Sequence, residues 1–390
     1  MKTEHNFSRR KFMGGLAATV GYLGMRPDFE TLAQTASGAG GSFARDFEEY
    51  DSLAKLSFNE NPYGPSASVL EAKTRAFKFA NRYGAPDSGL VSAIAAHHGV
   101  APENVLLGAG STEILEVAAS AFLAGHKKVV GVEPTFGTVY EYATGLQAGS
   151  IIQPLLSDHR QDVPALIKAA RENHREVGFV YLCNPNNPTG LIVPRREVDQ
   201  LLDGIPEKMP VLIDEAYHHF VEAQDYASSV PRVIEGRPVI VARTFSKIAA
   251  LAGMRLGYAI APRPLIEKMR PFTGNMHVNV LAKWAGAAAL KDTEGQKRVR
   301  SATLELRKKT TSELKQLGFD VLPSETNFFM VHLRRPVFPV IRAFREKGIL
   351  VGRPFPPMLE HLRVSIGTAD EMDRFITAFK AILSASGSSK

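Results

Sequence analysis

The 390-residue sequence predicts an α/β protein: a mostly parallel sheet in a large domain, then a smaller α+β domain. Three observations predict it. The apolar runs of the first two-thirds are continuous in Val, Ile and Leu rather than alternating, so both faces of their sheet are covered. They recur after stretches of helical spacing, the order that winds a parallel sheet. From about Pro264 helical periodicity dominates through Leu317, and short strands and a last helix follow.

The elements read in order as follows. "NVLLGAG" (Asn104–Gly110) is an apolar run ending in glycine. It enters "STEILEVAASAFL" (Ser111–Leu123), where Ile114, Leu115, Ala118, Ala119 and Phe122 share a helical face. "KVVGVEP" (Lys128–Pro134) is a strand closed by proline. "EVGFVYLCNPNNPTG" (Glu176–Gly190) runs from a buried strand into an Asn/Pro turn, and "MPVLIDEAY" (Met209–Tyr217) from a strand into an acidic turn. "RPVIVARTFSK" (Arg237–Lys247) and "MRLGYAIA" (Met254–Ala261) add two strands. The smaller domain draws on "TNFFMVHL" (Thr326–Leu333), "GILVGRPF" (Gly348–Phe355), "HLRVSIG" (His361–Gly367) and a helix from about Ala369 to Leu383.

Composition narrows the function. A chain 44% hydrophobic and 22% charged is soluble and carries a large core. Its net charge of +7 comes from scattered basic residues, which is not the footprint of a nucleic-acid binder. The single cysteine, Cys183, excludes an intrachain disulfide and a multi-cysteine metal site. Histidines pair at His97–His98 and His218–His219, but adjacent side chains diverge, so no metal ligation is expected.

The N-terminus is of another kind. "SRRKFMGGLAATVGYLG" (Ser8–Gly24) sets paired arginines before a short apolar run rich in Gly and Ala, and the small residues "TLAQTASGAGGS" (Thr31–Ser42) follow. This resembles a twin-arginine export signal with cleavage within Ala36–Ser42, and the expected location is periplasmic or exported, the alternative being cytoplasmic. The apolar run is too short and glycine-rich for a membrane span.

In a sheet of this kind ligands sit beyond the carboxyl ends of the strands. Asn187, Asp214 with Tyr217, and Lys247 stand there on separate strands. Gly110, with Ser111 and Thr112 opening a helix, makes an anion site of exposed N–H groups, and Ser246 and Arg255 add phosphate donors. One lysine, one carboxylate, a tyrosine, an asparagine and a phosphate cup fit pyridoxal 5′-phosphate (PLP). Lys247 would join the cofactor aldehyde and carry protons, and Asp214 would keep the ring nitrogen protonated. Asn187 and Tyr217 would bind the phenolic oxygen, Phe136 would stack on the ring, and Thr244 lies beside Ser246.

"NPNNPTG", "DEAY" and "TFSK" followed by "AGMRLGY" resemble the class I/II PLP-dependent aminotransferases of fold type I. "FNENPYGPS" (Phe58–Ser66), "NRYGAPDSGLVSAIAAHHGVAPENVLLGAGSTEIL" (Asn81–Leu115), "DEAYHHF" (Asp214–Phe220) and "LRVSIGTADEMDRFI" (Leu362–Ile376) are similar to the histidinol-phosphate aminotransferase branch. The resemblance implies a seven-stranded sheet and a homodimer in which Tyr83 reaches the neighbouring subunit's cofactor phosphate. It implies Lys247 as the cofactor lysine, Asp214 at the pyridine nitrogen, Asn187 and Tyr217 at the phenolic oxygen, and Ser111, Thr112, Ser246 and Arg255 at the phosphate. Arg363 would clamp the substrate carboxylate, and Asn61 and Tyr63 would line the mouth. Arg353 stands one position from a family arginine that contacts a distal phosphate, with Gly352 where that arginine is expected. Domains are expected at 1–40 (leader), 41–72 (arm and part of the small domain), 73–276 (large, PLP-binding) and 277–386 (small).

The expected activity is transamination between an amino acid or related amine and a 2-oxo acid. The alternatives are histidinol-phosphate transamination itself, or cyclisation, oxidation or racemisation on the same scaffold. A rival of a different class, a cofactor-binding module without catalysis, is at odds with the complete lysine, aspartate and asparagine set.

Overall fold

A computed structural model describes residues 43–274 and 277–384. The leader with its paired arginines therefore lies outside the described residues. The chain divides after Leu53 into two units. The first contributes the helix Phe43–Ser52, in which the Ser52 hydroxyl donates to the Glu49 carbonyl at 2.7 Å.

The second unit is built on a seven-stranded sheet. Its strands are β2 (Val105–Gly108), β3 (Lys128–Glu133), β4 (Gly149–Pro154), β5 (Val177–Cys183), β6 (Val211–Asp214), β7 (Val239–Thr244) and β8 (Gly257–Ile260). Their order across the sheet is β2-β8-β7-β6-β5-β3-β4. β8 is antiparallel to both its neighbours, and all other pairs are parallel. The seven-stranded, mostly parallel α/β expectation therefore holds.

Alternation within these uniformly apolar strands assigns each side chain to one of two cores. Val180, Ile213, Val239 and Val241 enter one cluster, with helices Leu90–His98, Val163–Glu172 and Arg195–Gly204. Phe179, Tyr181, Leu212, Ile240 and Ala242 enter the other, under helix Ser111–Phe122. Each fully buried Val, Ile, Leu or Phe among them contributes about 1.5–3 kcal/mol. Strand β4, at the sheet edge, is not among the strands the sequence singles out. Its residues are only partly covered, so "GSIIQP" carries neither a buried run nor a clean alternation.

Two small sheets complete the unit. β9 (Asp320–Val321), β10 (Phe328–His332) and β12 (His361–Ser365) form an antiparallel sheet in the order β12-β10-β9. β1 (Ala54–Leu56) pairs in parallel with β11 (Ile349–Val351), so residues nearly three hundred positions apart in sequence are neighbours. Ala54, Leu56, Phe329, Val364, Phe344 of helix Val337–Glu346, and Phe375 and Phe379 of helix Ala369–Ser384 share one core. Phe344 stacks on Phe375 at 5.3 Å between ring centroids.

The strand expected over Gly348–Phe355 is shorter: only Ile349–Val351 pairs. Prolines at 354, 356 and 357 have no N–H to extend the ladder.

Candidate active site

The topology gathers one edge. β2, β5, β6 and β7 all point their carboxyl ends the same way, and β8, running opposite, begins there. The chain leaving those ends supplies Ser111, Asn187, Tyr217 and Lys247, and the chain entering β8 supplies Arg255.

The phosphate end is built from backbone. Helix Ser111–Phe122 starts at Gly110, which has φ +84° and no side chain to cap the first turn. The amides of that turn are therefore available to an anion. A Cβ on Gly110 would run into the Arg255 guanidinium, and one on Gly257 into the Gly110 and Ser111 backbone, so both glycines are needed for the close approach. Arg255 donates to the carbonyls of Ala252 (2.9 Å) and Ala109 (3.3 Å), and one of its nitrogens lies 3.5 Å from Ser246 Oγ. Thr244 Oγ1 donates to Ser246 Oγ at 2.8 Å, which orients the serine. Glu113, in the same helical turn, accepts from the Ala109 amide (2.5 Å) and lies 3.2 Å from the His277 ring.

Asp214 ends β6 and is 2% exposed. One of its oxygens accepts from the Ala216 amide at 3.0 Å. Burial pushes its carboxyl up to about 6, against the downward pull of that amide and of the Lys247 charge. Among the described residues no ion pair reaches this dry carboxylate, and a protonated ring nitrogen of PLP would supply the cation. Its neighbour Glu215 is held in a buried pair with Arg243 at 2.7 Å and accepts from the Ser228 hydroxyl and Ser229 amide.

Lys247 is half-buried, and its Nζ donates to the Phe58 carbonyl at 3.0 Å, 5.6 Å from the Tyr217 ring centroid. Burial first, and then the positive charge of Arg363, bring its ammonium down to about 8. An amine with a substantial neutral fraction near pH 7 to 8 suits attack on an aldehyde and later proton transfer.

Asn187, after β5, donates through Nδ2 toward the Tyr217 hydroxyl (3.5 Å), and its Oδ1 accepts from Arg363 at 2.6 Å. The other end of Arg363 donates to the Ser57 carbonyl at 2.6 Å, while its Nε is buried with no partner among the described residues. Burial lowers this guanidinium to about 10. An arginine with an unspent buried donor fits an incoming anion.

The glycine at 352 has a physical reason. A Cβ there would lie 2.7 Å from the Arg363 carbonyl and 3.3 Å from its Nε, so a larger residue would displace Arg363. Arg353 is exposed, yet its guanidinium stands 4.5 Å from the Phe355 ring centroid, and that of Arg363 stands 4.6 Å from the same centroid. Because β11 ends at Val351, strand alternation does not govern position 353, and both arginines stand against one aromatic ring.

Asn61 donates to the Ile248 carbonyl, next to Lys247, at 2.9 Å, and accepts from the Tyr63 amide at 3.0 Å. With Pro65, Ile248 and Val299 they line a half-open cavity of about 340 Å³. Phe136 follows β3 half-buried, its carbonyl accepting from the Tyr181 hydroxyl at 3.1 Å. Thr112 is half-buried beside Ser111. Tyr83 is 92% exposed, and among the described residues no hydrogen bond or ring contact joins it to the other candidates.

Sequence reasoning passed over Asn59. It is 1% exposed with φ 55°, and its Nδ2 donates to the Tyr217 hydroxyl at 3.0 Å, closer than Asn187 does. It also passed over Asn327 and Ser365, which hold Asn59. The available signal was an asparagine directly ahead of "ENPY", since Asn tolerates left-handed backbone.

A lysine, a dry carboxylate and an anion cup at the carboxyl edge of such a sheet define a PLP-dependent enzyme of fold type I. Residues 51–379 match the model of "Aminotransferase class I and II", and the chain belongs to that family. It is similar to "Histidinol-phosphate aminotransferase" of Moorella thermoacetica, 37% identical over 337 residues that cover 85% of this chain and 86% of that one. It is also similar to "Histidinol-phosphate aminotransferase 2" of Carboxydothermus hydrogenoformans, 36% identical over 85% of this chain and 91% of that protein. Among solved structures, histidinol-phosphate aminotransferase from Sinorhizobium meliloti in complex with pyridoxal-5′-phosphate aligns with TM-score 0.79 and 26% identity, covering 93% of this chain and 99% of that one. The protein is a PLP-dependent transaminase.

Proposed function

We propose that this transaminase takes an anionic amine donor whose negative group is held by Arg363, and passes the amino group to a 2-oxo acid held in the same place. The observation that carries this is the buried Arg363 with an unpartnered Nε, tied to Asn187 and so to the cofactor's side of the cleft.

PLP, when bound, supplies an electron sink for negative charge developing on the substrate's α-carbon. The chain's own residues do the rest. Lys247 holds and moves a proton through Nζ. Asp214 keeps a proton on the ring nitrogen. Tyr217 and Asn187 aim donors at the phenolic oxygen, and the Gly110–Thr112 turn with Ser246 and Arg255 fixes the phosphate. Arg363 orients the donor so that its α-proton faces Lys247.

A second reading, in which the donor is histidinol phosphate, has support of its own. Arg353 lies one ring away from Arg363, where a phosphate's second charge could be met, and the relatives named above carry that activity in their names. Single-turnover spectra of the loaded enzyme with histidinol phosphate and with a panel of free amino acids decide between them. Selective turnover of histidinol phosphate establishes the second reading, and broad turnover of amino acids the first. Failure with every anionic donor overturns both.

The working unit is a homodimer in this reading. Tyr83 (92% exposed) and Phe77 (67%) are large rings left uncovered in one short stretch, and Tyr83 completes the partner's phosphate site. Sedimentation of the loaded enzyme tests this, and an active monomer refutes it. The leader directs export by the twin-arginine route, which carries folded proteins and suits an enzyme that loads PLP before crossing. Fractionation of cells with and without Arg9 and Arg10 changed to Lys tests it; unchanged location in both overturns it.

A further inference from the structure

The hydrogen bonds around Tyr217 have a direction that can be read without seeing a hydrogen. Arg363 can only donate, so the Asn187 atom facing it at 2.6 Å is the amide oxygen, and Asn187 Nδ2 is left to face the Tyr217 hydroxyl. Asn59 is fixed by a second device. The Ser365 hydroxyl accepts from the Asn59 backbone N–H at 2.8 Å and spends its one proton on Asn59 Oδ1 at 2.8 Å. Because no other acceptor faces the Ser365 hydroxyl among the described residues, its proton goes to Oδ1, which sets Asn59 Nδ2 toward Tyr217, at 3.0 Å. The segment is held in turn by Asn327, whose Nδ2 donates to the Asn59 carbonyl at 2.9 Å. With amide donors on its oxygen, the phenol has no acceptor in this network, and its own proton is directed outward, into the cleft where Lys247 stands.

We propose that Asn59 is a positioning residue that, locked by Ser365, forces Tyr217 to act as a donor toward the cofactor's phenolic oxygen. This rests on the reading that the phenolic oxygen faces Tyr217. With the cofactor bound, a donor there would drain negative charge from that oxygen and lower the pH at which the Lys247 linkage gives up its proton. If Asn59 became an acceptor, the phenol would give its proton to Asn59 instead, the phenolic oxygen would keep more charge, and the linkage proton would be held more tightly.

The test is Asn59→Asp. Aspartate tolerates φ 55° as asparagine does, but at the Nδ2 position it accepts where asparagine donates. The readout is the pH midpoint of the cofactor's absorbance change in the loaded enzyme without substrate. Asn59→Asp is expected to raise that midpoint by about one unit. Ser365→Ala, which frees the Asn59 amide to flip, is expected to raise it by less and serves should the aspartate variant fold poorly. Tyr217→Phe should raise it by itself, and adding Asn59→Asp to Tyr217→Phe should add only the smaller shift that the new carboxylate's charge imposes without the hydroxyl. A midpoint unmoved by both Asn59→Asp and Ser365→Ala, or a shift equally large without the Tyr217 hydroxyl, overturns the proposal. A midpoint unmoved by Tyr217→Phe overturns instead the reading it rests on.

Discussion

The two halves of the cleft are made differently. On the cofactor side, Asp214, Thr244 and Ser246 are buried at the ends of adjacent parallel strands, each within a short motif of the strand that carries it. On the substrate side, Ser57, Asn61, Arg353 and Arg363 come from segments up to three hundred residues apart, and exposure runs from the buried Arg363 to the open side chain of Arg353. The end of a buried sheet holds the group every turnover reuses, while β12 of a second sheet and the loops beside it hold what changes between substrates. Substitutions on the cofactor side should thus act on all donors and on the chemical step. Those on the substrate side should become more donor-specific with distance from Asn187.

The largest effect is expected at Lys247. Lys247→Ala removes both the covalent anchor and the proton carrier, and turnover should fall about 10⁴-fold or more. PLP should still bind through the Gly110–Thr112 turn, without the linkage that borohydride can reduce. Near-normal transamination by this variant would break the distinction at its root.

Asp214 comes next, with a twofold consequence. Asp214→Asn removes the partner of a protonated ring nitrogen, and deprotonation of the donor should slow about 10³-fold in single-turnover spectra. The same change should stabilise the cofactor-free protein at neutral pH. The folded carboxyl titrates at about 6 against an ordinary 3.8, so between those values the folded chain holds a proton that the unfolded chain has lost. Stability of the cofactor-free chain therefore falls as pH rises through that window, and the full cost, about 3 kcal/mol, is present above it. Denaturant titrations at pH 4 and pH 8 should show the wild type losing ground to Asp214→Asn only at the higher pH. Equal differences at both would show that Asp214 is not the strained group.

At the border of the two halves, Arg363→Lys exchanges a planar fork for a point charge. It should reduce kcat/KM about 10²-fold for every donor, because the Asn187 and Ser57 contacts and the unspent Nε are lost together. A loss confined to one donor class would move Arg363 out of the shared machinery.

The same contrast explains what could be read in advance. Residues 183–187, 214–217 and 244–247 each combine a buried strand with the polar residues that leave it, so the motif and its position are legible together. Asn59 was not legible, because its partners Ser365 and Asn327 are some three hundred residues away and become neighbours only through folding. The strand β1, three residues long, escaped for the same reason: its partner is β11. Position 353 lies where periodicity stops being a guide: the strand ends at Val351, and the Arg353 guanidinium stands 4.5 Å from the Phe355 ring centroid.

Arg353 therefore carries the smallest and most selective effect. Its guanidinium is exposed and stacks on Phe355, and water screens most of the attraction it can offer. A donor with a single negative group, held by Arg363, should barely register Arg353→Ala. A donor with a second charge, acidic or phosphorylated, should lose about tenfold in kcat/KM, mainly through KM, since the contact is made alike in the ground and transition states. Raised ionic strength should shrink that difference for the wild type and leave the variant unchanged. The shared Phe355 ring adds a control. Phe355→Leu removes the stacking surface from both arginines, so it should weaken single-charge donors through Arg363 and double-charge donors through both. If Arg353→Ala instead lowers kcat for all donors alike, Arg353 belongs with the buried machinery, and the division between a fixed cofactor side and a selective substrate side has to be redrawn to include it.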